Sequence, residues 1–109
     1  NVRQPSAHRD LIHIDDVVRA ISILIDSSPP CPEAVNISTG VAPSNKEVAQ
    51  LIIKHSGALD STVTFSKKNN LDQMYDLLAS PELMKKFYDW SASIRFQEGI
   101  RKLIFSGKI

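Results

Sequence analysis

Apolar and polar residues alternate through Leu11-Ile12-His13-Ile14, and from Val17 onward the apolar spacing changes to three and four. That change of period predicts a short strand running into a helix, with Asp15 or Asp16 as the side-chain acceptor for the first helical turn. The helical stripe at positions 17, 18, 21, 24 and 25 is widened by Ala20 and Ile23 until only Arg19, Ser22 and Asp26 remain polar. A helix this apolar is expected to be buried on more than one side. Ser27-Ser28-Pro29-Pro30 ends it, because proline lacks a backbone donor and restricts the residue before it.

The rest of the chain continues the mixed pattern. Asn1 to His8 has no period and reads as a lead-in loop, whereas Ala34 to Ser38 is a short apolar run read as a buried strand. Ser44 and Glu47 form a capping box before Val48, Ala49, Leu51, Ile52 and His55, and Gly57 supplies a left-handed stop. Thr62-Val63-Thr64-Phe65 reads as a third strand, and Ser66 to Gln73, with two lysines and two asparagines, as a loop. Ser80-Pro81-Glu82 opens a helix with Leu83, Met84 and Phe87 inward. A last helix from about Ser93 places Phe96, Ile100, Leu103 and Ile104 on one face, with Gly107 closing it. The expected fold class is therefore α/β: a small mixed domain of about three short strands and four helices.

Composition narrows the function classes. With 109 residues, 42% of them hydrophobic, the chain is read as a single domain or fragment spanning 1–109. Thirteen basic residues against twelve acidic, interspersed, favour neither nucleic acid nor a membrane surface as a partner. No apolar run approaches the length of a membrane span. The lone Cys31 has no partner for an internal disulfide and suits a reducing, cytoplasmic setting. A start at Asn1 without methionine suits a trimmed piece as well as a sequence whose first residues were left out.

Candidate chemistry is sparse. Arg9, at the mouth of the first strand, presents a planar, permanently charged fork suited to a phosphate or carboxylate, or else pairs with Asp10 at the surface. Asn45 lies on the first turn of its helix, where free N–H groups attract anions, and Asn36, on the second strand, is a further polar candidate unless it only ties up backbone groups. Lys67 and Lys68 are able to reach an anion from their loop, and Ser44 is explained as a cap. No metal site is expected: His8 and His13 sit on opposite faces of the strand, and His55 is alone. The glycines, at 40, 57, 99 and 107, make no phosphate-binding glycine turn, and no nucleophile motif occurs. No catalytic or cofactor-binding residue is assigned.

The run Arg9 to Asp16 resembles the R-D-F/Y/L-I/V-H/Y-I/V-x-D segment of the extended short-chain dehydrogenase/reductases, the NAD-dependent epimerase/dehydratase family acting on sugar nucleotides. Val35-Asn36-Ile37-Ser38-Thr39-Gly40 resembles that family's F/Y-N-I/L-G-T/S-G segment, and Trp90 with Glu98-Gly99-Ile100 resembles its closing G-W … E-G-I/L pattern. The resemblance runs from about Arg9 to Ile104. It implies the C-terminal, substrate-binding part of a Rossmann-type enzyme whose nucleotide-binding domain is absent. It also implies NAD or NADP held by that missing domain, a nucleotide-sugar substrate gripped through Arg9, and homo-oligomers or association with the missing domain. The family's Tyr-x-x-x-Lys pair is absent, since Ala79 follows Tyr75 and Ala92 follows Tyr88 at that spacing. Its second phosphate-binding arginine would fall at Asn69, leaving Lys67 or Lys68 to substitute as point charges. A free-standing α/β interaction or regulatory domain without catalysis is the alternative.

Overall fold

Among the described residues four helices form, close to where the spacing places them: α1 over Ile14–Asp26, α2 over Asn45–Ser56, α3 over Glu82–Tyr88 and α4 over Phe96–Phe105. The computed structural model describes residues 1–28, 34–57, 63–66 and 76–107. Among them backbone pairing outside the helices is limited to isolated bridges: Val2 with Phe65, His8 with Ser44, and Arg9 with Leu77. The expected strands are thus not formed as ladders. Leu11 to His13 and Ala34 to Ser38 run without a ladder, Ile14 already belongs to α1, and Thr62 lies outside the described residues. A strand needs a neighbour for its N–H and C=O groups, and around Ala34 to Ser38 the described residues supply none. Val2, read as part of a loop, is instead fixed by bonds from its N–H to the Thr64 carbonyl (2.7 Å) and from Ser66 N–H to its own carbonyl (2.9 Å).

The core is built on one aromatic residue. Trp90, just beyond α3, is fully buried with Ala20 of α1 and Met84 of α3, and Ile12, Ile23, Leu24, Val35, Ile37, Tyr88 and Ala92 pack around them. Burying a tryptophan removes roughly 150–250 Å² from water, about 4–6 kcal/mol at 25 cal/mol/Å², more than a typical single polar contact contributes. The loop that delivers it is set by Asp89, whose left-handed φ of 50° lets the N–H groups of Asp89 and Trp90 bond back to Lys85 and Met84. Leu83 and Phe87, expected inward, are 40% and 46% exposed, because seven residues give α3 only one narrow buried face, and Met84 fills it.

Asp16 corrects the expectation for the start of α1. The cap is His13, whose ring Nδ1 accepts the Asp15 N–H at 3.1 Å. Asp16 lies in the first turn and is 1% exposed. Its carboxylate accepts the Ser93 N–H (3.1 Å), the Ser93 hydroxyl (2.9 Å), the Ile94 N–H (2.9 Å) and Arg19 (3.2 Å). Arg19 also donates to the Ser91 carbonyl and lies over the Trp90 ring, 5.3 Å from its centroid. These bonds hold residues 91–94 out of the last helix, so α4 begins at Phe96 rather than near Ser93. Gly99 then lets α4 close on α1, since a Cβ there would stand 3.2 Å from His13 Cδ2. α2 packs on α4.

One face of α1 is bare. Ile14, Val18, Ile21 and Ile25, spaced four, three and four, are between 45% and 76% exposed, opposite the turn that buries Asp16 and Ala20. The expectation of burial on more than one side is therefore not met among the described residues. The molecule is a plate of 52 × 37 × 16 Å with a radius of gyration of 16.7 Å, against about 13 Å for a folded domain of this length. Its accessible surface is 7883 Å², where a monomer of this mass exposes roughly 6,000 Å². No helix of the described residues is long and apolar enough to cross a membrane.

Burial pushes the Asp16 carboxyl upward, but hydrogen bonds from Ile94, Ser93 and Arg19 outweigh it and hold the group below the usual aspartate value of 3.8. A carboxyl lowered on folding stabilises the fold above its unfolded pKa, and that stability is lost as pH falls through the folded value. Urea titrations should show stability declining below about pH 4. Asp16→Asn, which turns an NH₂ toward two N–H donors, should cost about 2–5 kcal/mol at neutral pH and flatten the acid limb. Parallel acid limbs for variant and wild type would show that another group controls it.

Candidate functional site

Arg9 sits in an extended segment that is paired on both sides. Its N–H bonds to the Pro43 carbonyl (3.1 Å), and the neighbouring Asn45 N–H bonds to the Ala7 carbonyl (2.9 Å). On the other side the Asp10 N–H bonds to the Leu77 carbonyl (2.8 Å) and the Leu77 N–H to the His8 carbonyl (3.0 Å). Side chains reinforce the pairing. The His8 N–H bonds to the Asp76 carboxylate (3.0 Å), and the His8 ring stands 2.8 Å from the Ala42 carbonyl, which only accepts and therefore requires the proton on Nδ1. Arg9 is half-buried and donates from Nη1 to the His8 carbonyl at 2.8 Å. That bond orients the planar fork against its own backbone.

Asp10 is committed elsewhere than to Arg9. Its carboxylate accepts the Thr39 N–H (3.1 Å), the Thr39 hydroxyl and the Gly40 N–H (3.0 Å). Gly40 adopts a φ of +80°, and a Cβ on it would meet the Pro81 ring at 3.1 Å, so glycine is needed for both the turn and the close approach. Asp10 thus clasps the loop that follows Ser38 onto the Arg9 segment. The alternative read from the sequence, a surface pair of Arg9 with Asp10, gives way to this clasp, since the Asp10 carboxylate is taken by Thr39 and Gly40.

The other expected residues do not all converge on Arg9. Asn45 is half-buried, and its side-chain NH₂ donates to the Gln4 carbonyl at 3.0 Å, fixing a loop in which Gln4 has a φ of 49°. The idea of free N–H groups at this helix start needs correction. Asn45 N–H bonds to Ala7, Lys46 N–H to Pro5, Glu47 N–H to the Ser44 hydroxyl and Val48 N–H to the Ser44 carbonyl. The positive end of α2 is closed by the protein's own acceptors. Asn36 is exposed, and its side chain makes no hydrogen bond among the described residues. Lys67 and Lys68, like Asn69, lie outside the described residues. Among the described residues no group of three or more His, Cys, Asp or Glu side chains is arranged to hold a metal.

A cavity of about 280 Å³ opens beside the Arg9 segment, walled by Leu11, Thr39, Val41, Ala92, Ile94 and Phe96, with Arg95 and Gln97 at its edge. Arg95 stands at the head of α4 and its side chain makes no capping bond there. The sequence reading missed this arginine. Its only signal was its place just before a helix that lacks a Ser, Thr, Asp or Asn cap.

No family model matches this sequence, and no curated protein matches it. Solved structures do. The UDP-glucose 4-epimerase of Thermotoga maritima with UDP-glucose superimposes with a TM-score of 0.78 at 21% identity, covering 99% of this chain and 35% of that one. The Bordetella bronchiseptica enzyme WbmG in complex with NAD and UDP matches with a TM-score of 0.74 at 18% identity, over 96% of this chain and 32% of that one. RMD from Pseudomonas aeruginosa complexed with NADPH matches at 0.76 and 15% identity, over 99% and 36%. This likeness establishes the fold: the chain is folded like a part of these enzymes, and it spans about a third of their length.

Ser44 is predicted to act as a cap and not as a ligand. Ser44→Ala should lower stability by about 1 kcal/mol in a denaturant titration, with unchanged affinity for any nucleotide the folded protein binds. A tenfold affinity loss at unchanged stability would reverse the assignment.

Proposed function

We propose that this chain is the substrate-binding portion of an NAD(P)-dependent nucleotide-sugar epimerase or dehydratase, and that it holds the nucleoside diphosphate while the rest of the parent protein carries out the hydride chemistry. The observation that carries this reading is the pattern of likeness: nearly the whole chain superimposes on about a third of enzymes solved with UDP, UDP-glucose, NAD or NADPH. Its own shape supports the same reading. The surplus of roughly 1,900 Å² over the area expected of a monomer and the bare stripe on α1 disfavour a free-standing domain.

In this reading Arg9 is the principal phosphate ligand. Its segment is pinned on both edges, so the guanidinium is presented from a rigid base, and little freedom is lost when an anion binds. Asn45 contributes by holding the Arg3–Gln4 backbone beside that segment. Asn36, Lys67 and Lys68 remain as candidate polar contacts to the substrate. The cofactor, NAD or NADP, is assigned to the remainder of the parent. The glycines of this chain support that division. Gly40 forms the clasped turn, Gly57 and Gly107 take left-handed conformations just past the ends of α2 and α4, and Gly99 permits the α1–α4 approach. The bare stripe would be covered by the remainder of the parent or by a second copy.

The test is calorimetry of the intact protein with a nucleoside diphosphate. Arg9→Ala should weaken binding by roughly 1.5–3 kcal/mol, the worth of a charge-assisted hydrogen bond, without unfolding the chain. Equal affinity of variant and wild type would remove Arg9 from the site.

A further inference from the structure

Two histidines stand at the ends of the extended segment that leads into α1, and they use the same ring nitrogen in opposite ways. His8 Nδ1 lies 2.8 Å from the Ala42 carbonyl, which only accepts, so that nitrogen carries a proton. His13 Nδ1 lies 3.1 Å from the Asp15 N–H, which only donates, so that nitrogen is bare and the ring proton is on Nε2. A second proton on the His8 ring enters at Nε2 and leaves its bond intact. On the His13 ring it enters at Nδ1 and removes the acceptor.

The His13 ring closes the start of α1. The Asp16 N–H (3.0 Å) and the Val17 N–H (3.2 Å) bond to the His13 carbonyl, whereas the Asp15 N–H depends on the ring. The ring is mostly buried and lies against α4 at Gly99. On its own helix the nearest charge is the exposed Asp15 carboxylate, 3.7 Å from Nδ1. Asp16, in the same turn, is committed to Ser93, Ile94 and Arg19. From α4 the residue against the ring is the uncharged Gly99; next to it Glu98 lies 3.6 Å from Lys102, and Arg95 stands at the head of the helix.

A protonated ring here loses its bond to the Asp15 N–H and faces the positive end of α1. It also gains a donor on Nδ1, with the Asp15 carboxylate close by to accept it. We infer that His13 is a proton-controlled cap. Neutral, it holds the Asp15 N–H and closes the first turn of α1; protonated, it releases that N–H and pairs with the Asp15 carboxylate. Asp16, which fixes residues 93 and 94, stands in the same turn, so the exchange acts where α1 meets the lead-in to α4. It does not depend on the nucleotide-binding reading.

The test is ¹⁵N NMR of the intact protein between pH 8 and pH 5, the span in which an imidazole ordinarily takes up its second proton. At pH 8 the His13 ring should show an unprotonated Nδ1 and the His8 ring an unprotonated Nε2. On going to pH 5 the Asp15 amide proton should move upfield, and its exchange protection should fall about fivefold, the worth of one N-cap. The Ser44-capped start of α2 should stay unchanged. His13→Asn, which supplies an acceptor that does not titrate, should hold the Asp15 amide constant across this range. A protonated Nδ1 on His13 at pH 8, or a wild-type Asp15 amide that does not respond to pH, would overturn the inference. So would an equal response in His13→Asn and wild type, since another group would then be the sensor. The ring-nitrogen shifts are read from the wild type alone, so a variant that fails to fold leaves the test decisive.

Discussion

The fold depends on one buried carboxylate. Asp16 reaches from the first turn of α1 across to residues 93 and 94, more than seventy positions away, and satisfies backbone donors that would otherwise be buried without acceptors. Arg19 completes the arrangement, bonding Asp16 on one side and the Ser91 carbonyl on the other while covering Trp90. The hydrophobic term from Trp90 is larger, but it is non-directional. The carboxylate fixes the path of the chain between Trp90 and α4, and hence the cavity edged by Arg95.

How much of this was legible in the sequence depended on the range of the interactions. The start and stop of α2 were readable from Ser44, Glu47 and Gly57, because a capping box and a left-handed glycine act within a few residues. The strands were not, because β-propensity describes a half-buried surface and does not say whether a pairing partner exists. Val35 and Ile37 do pack against the core as an apolar run should, yet among the described residues no ladder forms around them. Asp16 was misread for a related reason. An aspartate at a helix start looks like a local cap, and only the tertiary fold shows that His13 caps while Asp16 bonds to Ser93 and Ile94.

The candidate site divides in the same way. Arg9 was legible because its motif is contiguous. Asn45 was chosen for a helix terminus that the chain itself closes with Ala7 and Pro5 carbonyls. Arg95 comes to the cavity that Leu11 also lines because the Asp16 bonds bring residues 93 and 94 beside α1. Thus the carboxylate that stabilises the fold also shapes the cavity wall at Ile94.

The central claim is that this chain is a part of a larger enzyme whose remainder covers the bare face of α1. Its most direct test is the intact mass of the natural polypeptide that contains this sequence. The account predicts a species of about three times the 12.1 kDa of this chain, in proportion to the third of each matching enzyme that it covers. A natural polypeptide of 12.1 kDa, monomeric and without a partner, would contradict it.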